Sequence, residues 1–143
     1  ARHGINRNAL TFSDGGLALP ALDWVTHSFG PAWAEAKRLL QIERYESESN
    51  DCDDYARMCA GYAQMLHNLT VNQLRSDGQN VRNTSLAFGE FWYVPPSGAH
   101  AINAFLYRTA AAAPVQLGFV EPQTSQLIYP SSHEIKSCSL LRL

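Results

Sequence analysis

Apolar residues recur at helical spacing through the first half of the chain and alternate at strand spacing through the second. Leu22, Val25 and Phe29 lie three and four residues apart, which predicts a short helix after Leu19 and Pro20. Gly30 and Pro31 interrupt the pattern, and Pro31 suits the first turn of a second helix over about 31–45. Trp33, Ala36, Leu39, Leu40 and Ile42 would form its apolar side, while Glu35, Lys37, Arg38, Glu43 and Arg44 face solvent. After the polar loop Ser47-Glu48-Ser49-Asn50, either Asn50 or Asp51 can cap a third helix over about 52–67. Its stripe of Cys52, Tyr55, Ala56, Cys59, Ala63 and Leu66 is rich in small residues and predicts close packing on a sheet. A polar helix or loop follows over 70–83, broken at Asp77-Gly78.

The second half reads as strands. Residues 85–94 are aromatic-rich and stop at Pro95-Pro96; 99–108 and 115–121 follow, joined by the alanine-rich link 109–114. Short strands over 127–129 and 137–143 close the chain, and residues 1–19 read as an irregular lead-in with a turn at Asp14-Gly15-Gly16. Helices first and strands after predict an α+β fold, with N-terminal helices packed on a C-terminal antiparallel β-sheet. One domain over 1–143 is expected, its helical part about 19–83 and its sheet part about 85–143.

Composition narrows the classes of function. With 45% hydrophobic and 17% charged residues the chain reads as a soluble globular protein, and a net charge of -2 with no basic stripe excludes nucleic acid as an expected partner. No apolar run reaches the roughly 18 residues that span a bilayer, and no signal-peptide pattern is visible, so localisation is otherwise open. Three cysteines (Cys52, Cys59 and Cys138) are too few for a disulfide scaffold and lack zinc spacing. Asn68-Leu69-Thr70 and Asn83-Thr84-Ser85 match glycosylation sequons, a pattern common by chance.

The chemistry gathers around Asn50-Asp51-Cys52-Asp53-Asp54-Tyr55-Ala56. A helix N-terminus favours a thiolate at Cys52, while Asp51, Asp53 and Asp54 oppose it by raising the thiol pKa. A nearby imidazole would reverse that balance, and His100 is the candidate. If residues 99–108 and 115–121 form a hairpin centred between Ala110 and Ala111, Leu106 pairs with Val115, Ala104 with Leu117, Ile102 with Phe119 and His100 with Glu121. All four pairs share one face, so a Glu121–His100 hydrogen bond is expected, and with Cys52 these make a candidate catalytic triad. Asn103 and Gln123 are further hydrogen-bonding candidates beside it.

Asp51-Cys52-Asp53-Asp54-Tyr55-Ala56 resembles the Asp-Cys-Glu-Asp-Tyr-Ala signature of bacterial transglutaminase-like cysteine proteinases, and the likeness extends over about 50–123. It implies a papain/transglutaminase-like core, with Cys52 as nucleophile, His100 as general base and acid, and Glu121 orienting the imidazole where aspartate is usual. The implied activity is that of a thiol hydrolase, a cysteine peptidase or amidase acting on a protein or peptide through a thioester. The oxyanion would take the Cys52 amide and one further donor; Glu46 stands where papain-like enzymes carry glutamine, leaving Gln41, Trp24 or Asn50 as candidates. No cofactor is required, though some relatives hold calcium at positions that correspond to Asp51 and Asp53. The alternative is a non-catalytic binding or structural protein on the same fold, a component of a larger assembly, for which the small size speaks. Oligomeric state is not legible.

Overall fold

The computed structural model describes residues 10–11, 16–46 and 51–143. Strands β1 (Leu10–Thr11) and β2 (Leu17–Ala18) precede the helices. Helix α1 (Leu22–Trp24) runs through a π turn at Val25–Phe29 into α2 (Gly30–Leu40), so the expected break at Gly30-Pro31 is absent. Gly30 N–H reaches back to Val25 O, and Pro31, which has no N–H to place, then sits in the first turn of α2. Gln41 ends α2 in the left-handed conformation, φ 57°, earlier than the expected boundary.

Helix α3 (Cys52–Ser76) is the one long helix among the described residues, and it takes in the first half of the segment read as a polar helix or loop over 70–83. Strands β3 (Ser85–Leu86), β4 (Phe88–Tyr93), β5 (His100–Tyr107), β6 (Gln116–Glu121) and β7 (Gln126–Ile128) follow. A short helix α4 (Ser132–Lys136), absent from the sequence reading, opens on a Ser131–Glu134 capping box and leads to β8 (Leu140–Arg142). The main sheet has the order β1-β8-β4-β5-β6-β7, antiparallel except where β1 joins β8, and β2 pairs with β3 in parallel. The turn expected at Asp14-Gly15-Gly16 and the loop at Ser47-Glu48-Ser49-Asn50 fall largely outside the described residues.

Strand alternation sorts the side chains onto two faces. On one, Phe88, Phe105 and Val120 pack against Val25, Phe29 and Trp33 of the first helices and Tyr55, Cys59 and Ala63 of α3. Ala56 and Ala63 are fully buried, which lets α3 lie close to the sheet. On the other, Phe91, Tyr93, Ile102, Ala104 and Phe119 pack with Cys138 and Leu141, and Ile135 covers them. Two glycines make the sheet possible. A Cβ on Gly89 would stand 1.7 Å from Arg142 O of β8, and one on Gly118 would stand 2.4 Å from the Phe105 ring.

The expected α+β arrangement is therefore corrected. Strands both precede and follow the helices, the sheet is mixed rather than purely antiparallel, and α3 is the one long helix among the described residues.

Candidate functional site: the His100–Glu121 pair and the acidic start of α3

His100 opens β5 and Glu121 closes β6, and the imidazole Nε2 lies 2.8 Å from Glu121 Oε2. The pairing of the two strands sets Leu106 opposite Leu117, Ala104 opposite Phe119 and Asn103 opposite Val120, two residues away from the expected register. A two-residue slip keeps every side chain on its face, so the hydrogen bond forms along a diagonal instead of directly across. Glu121 Oε1 accepts from the backbone N–H of Gln123, which pins the second oxygen of the carboxylate. His100 is 26% and Glu121 16% exposed at the side chain, so the pair is partly open to solvent. The Tyr93 ring lies 5.9 Å from the imidazole, and burial pushes the Tyr93 phenol up, with the Glu134 and Glu121 charges adding to the effect.

Cys52 opens α3, the helix that covers the face of the sheet opposite Phe91 and Ile102. Asn103 and Phe105 of β5 face α3, and Asn103 Nδ2 donates to Ala56 O at 2.8 Å, one turn beyond Cys52. His100 has the opposite parity; it pairs with Tyr93 and shares its face with Ile102. Of the three residues of the expected triad, His100 and Glu121 are hydrogen-bonded to each other, and no hydrogen bond joins Cys52 to His100 among the described residues. Cys52 itself is half-buried. Cys59 is a core thiol that burial pushes well above its ordinary pKa, and burial likewise pushes Cys138 up.

The cap of α3 is acidic and internally bonded. One carboxylate oxygen from each of Asp51, Asp53 and Asp54 lies within 4.8 Å of the other two. The hydrogen bond with Asp51 is the main cause holding the Asp53 carboxyl above the ordinary aspartate value, and the same bond chiefly holds Asp51 below it. Arg57 reaches Asp53 at 3.1 Å and Asp54 at 3.4 Å. Asp51 Oδ1 is enclosed without a hydrogen-bond partner. Three hard oxygens with one unpaired are a fitting part of a calcium shell, which takes about six to eight; carbonyls and water would supply the remainder.

The further oxyanion candidates are differently placed. Trp24 stacks on Phe29 at 5.2 Å within the core, and Gln41 is the exposed left-handed end of α2. Asn50 lies outside the described residues. Asn103, expected as a hydrogen-bonding candidate beside the triad, is fully buried and also donates to Gly89 O at 2.9 Å, tying α3 to β4. Lys37 was expected on a solvated face, yet it is 5% exposed and donates to the carbonyls of Pro122 and Gln123, directly after Glu121. Its signal was weak, since a lysine four residues from Trp33 on a helix is ordinary. Away from this region, both sequon asparagines, Asn68 and Asn83, border a cleft of about 680 Å³ with Gln64 and Arg82.

No family model matches the chain, and no curated protein matches it. Among solved structures the chain is similar to one described as the PSL1a–E64 complex, with 20% identity over 98% of this chain and 44% of that one, and a TM-score of 0.59. It is also similar to a Polyporus squamosus lectin bound to the human-type influenza-binding epitope Neu5Aca2-6Galb1-4GlcNAc, with 18% identity over 99% of this chain and 46% of that one, and a TM-score of 0.57. The chain thus spans less than half the length of either neighbour. Among the described residues no helix is long and apolar enough to cross a membrane. The expected transglutaminase-like, papain-like core is overturned by these neighbours, and with it the cysteine protease reading. What the likeness establishes is a fold shared with part of a lectin chain.

Proposed function

We propose that this chain is a non-catalytic binding module of a longer, lectin-like protein, and that it takes a glycan at the sheet end formed by Tyr93, His100 and Glu121. The observation that carries the reading is the His100–Glu121 hydrogen bond, held in a partly open position beside an aromatic ring. A fixed carboxylate and imidazole can exchange hydrogen bonds with vicinal hydroxyls, and an aromatic ring offers an apolar face to a pyranose. The sharing of a fold with a glycan-bound lectin supports the same ligand class. Asp51, Asp53 and Asp54 would hold calcium at the start of α3, where a hard cation would neutralise the carboxylates that now share a hydrogen bond. That site would order the rim of α3, and no binding step depends on it.

Titration calorimetry of the chain with Neu5Aca2-6Galb1-4GlcNAc, with and without calcium, tests the proposal. Saturable heat that disappears in His100→Ala and falls in Glu121→Gln supports it; saturable heat unchanged in both variants, or none with a panel of neutral and acidic glycans, refutes it. A second reading is favoured by the half-buried Cys52 and by the neighbour complexed with E64. Here the rim of α3 takes E64 itself, with Cys52 as a contact. Intact-mass analysis and iodoacetamide labelling after E64 treatment check this: protection or modification confined to Cys52 supports it, and equal slow labelling of all three cysteines removes it.

A further inference from the structure

Lys37 is a buried cation with no carboxylate in salt-bridge contact among the described residues. Its ammonium donates to Pro122 O at 2.8 Å and to Gln123 O, and it lies 5.7 Å from the centre of the Trp33 ring and 5.9 Å from that of Tyr55. Trp33 Nε1 donates to the same Pro122 O at 2.7 Å. Two donors from α2 therefore grip the two residues that follow Glu121, and the Gln123 N–H turns back to Glu121 Oε1. The grip is tight enough to bury Pro122 completely. Burial pulls the Lys37 ammonium below its ordinary pKa, while Cys59 on α3, Glu121 on β6 and Glu43 beyond α2 act the other way. A buried ammonium carries a desolvation cost that an apolar residue of similar length would avoid. Its place in this turn is thus better accounted for by what it positions than by stability.

We infer that Lys37 is the positioning residue of the His100–Glu121 pair, acting from α2 through the Pro122 and Gln123 carbonyls to fix the Glu121 carboxylate and, through it, the tautomer of His100. The inference concerns the site proposed above to bind a ligand, but it is read without any ligand. With Glu121 ionised and imidazole neutral, the 2.8 Å contact requires the proton on Nε2 and leaves Nδ1 bare. Remove the grip on the turn and the Gln123 N–H no longer has a fixed place; Glu121 can swing into solvent and His100 is free to move its proton between nitrogens.

The test is side-chain nitrogen NMR of the full chain at a pH where imidazole is neutral. Wild type should show His100 as a single Nε2–H tautomer. Lys37→Met, which keeps length and packing, should show a mixture of tautomers resembling that of Glu121→Leu, and Lys37→Arg should restore much of the bias. Circular dichroism and thermal melting establish that each variant is folded; a melting temperature for Lys37→Met equal to or above wild type, with the tautomer bias lost, separates positioning from simple stabilisation. A folded Lys37→Met that keeps the Nε2–H tautomer overturns the inference. Should Lys37→Met unfold, Trp33→Phe, which removes the other donor to Pro122 O, must shift the tautomer part of the way or the inference fails. Glycan binding is a separate measurement: loss of tautomer control with no glycan bound by wild type would refute the proposed function and leave the role of Lys37 intact.

Discussion

Replacing Asn103 by aspartate should produce a stability defect that grows with pH. Asn103 is fully buried, its Nδ2 donates to Ala56 O of α3 and Gly89 O of β4, and its Oδ1 has no partner. A carboxylate there would face two carbonyl oxygens and no donor. Burial of this kind raises a carboxyl pKa by about 3 units or more, so the native acid would titrate near neutrality while the unfolded one titrates at about 3.9. The native value lies above the unfolded value, so the folded state is favoured fully below pH 3.9 and loses ground as pH rises through the native pKa. A rise of 3 units corresponds to about 4 kcal/mol lost by pH 8. At pH 4 the neutral acid can still donate to one carbonyl, leaving a loss of about 1 kcal/mol for the missing hydrogen bond. Paired urea denaturation of wild type and Asn103→Asp at pH 4 and pH 8 measures both gaps. Asn103→Leu is the control, expected within about 1 kcal/mol of wild type because it removes the orphaned oxygen together with the two bonds. An aspartate variant within 1 kcal/mol of wild type at pH 8 would refute the reasoning, since water must then reach the site.

Gly89→Ala should destabilise by about 2–4 kcal/mol, because its Cβ would meet the Arg142 carbonyl at 1.7 Å; hydrogen exchange should show β8 opening first. Gln41→Gly should stabilise by about 0.5–1 kcal/mol in urea denaturation by relieving a left-handed non-glycine residue at the end of α2. The lowered pKa of Lys37 means that the unfolded chain holds its proton more firmly than the native one. Stability should accordingly climb with pH in the window just below the ordinary lysine value of 10.5, and that part of the climb should vanish in Lys37→Met.

Faces were easier to read from the sequence than elements or identity. The pairing of His100 with Glu121 survived an error of two residues because side-chain direction in a strand repeats every two residues. The same alternation, applied to Asn103 as well as His100, puts Asn103 on the face toward α3 and His100 on the other; the hairpin alone holds no information about which face α3 covers. The start of α3 at Cys52 was legible because Asp51 marks it, whereas its end was not, since Thr70 to Ser76 form helix with only Val71 and Leu74 among polar side chains to announce it. Local pattern also missed β1 and β2, two-residue strands that exist only because distant partners supply their hydrogen bonds. The acidic motif around Cys52 drew the reading toward protease chemistry, and a short motif specifies a local turn far better than it specifies the sheet around it.

The place of β8 bears on how the molecule is made. It lies between β1 and β4, with Leu10 paired to Leu141 and Phe91 to the same Leu141, so, of the described strands, the one latest in the sequence joins the first of them to the centre of the sheet. Until residue 142 has left the ribosome, β4 has a bare edge and Gly89 has no carbonyl to receive. A nascent chain would hold a hydrophobic hairpin of β4 and β5 for a few seconds with that edge exposed. Assembly should therefore be late and all at once, with slow formation of the longest-range contacts setting the folding rate. A stalled or clipped chain ending before Leu140 should be captured by chaperones rather than persist as a partly formed domain.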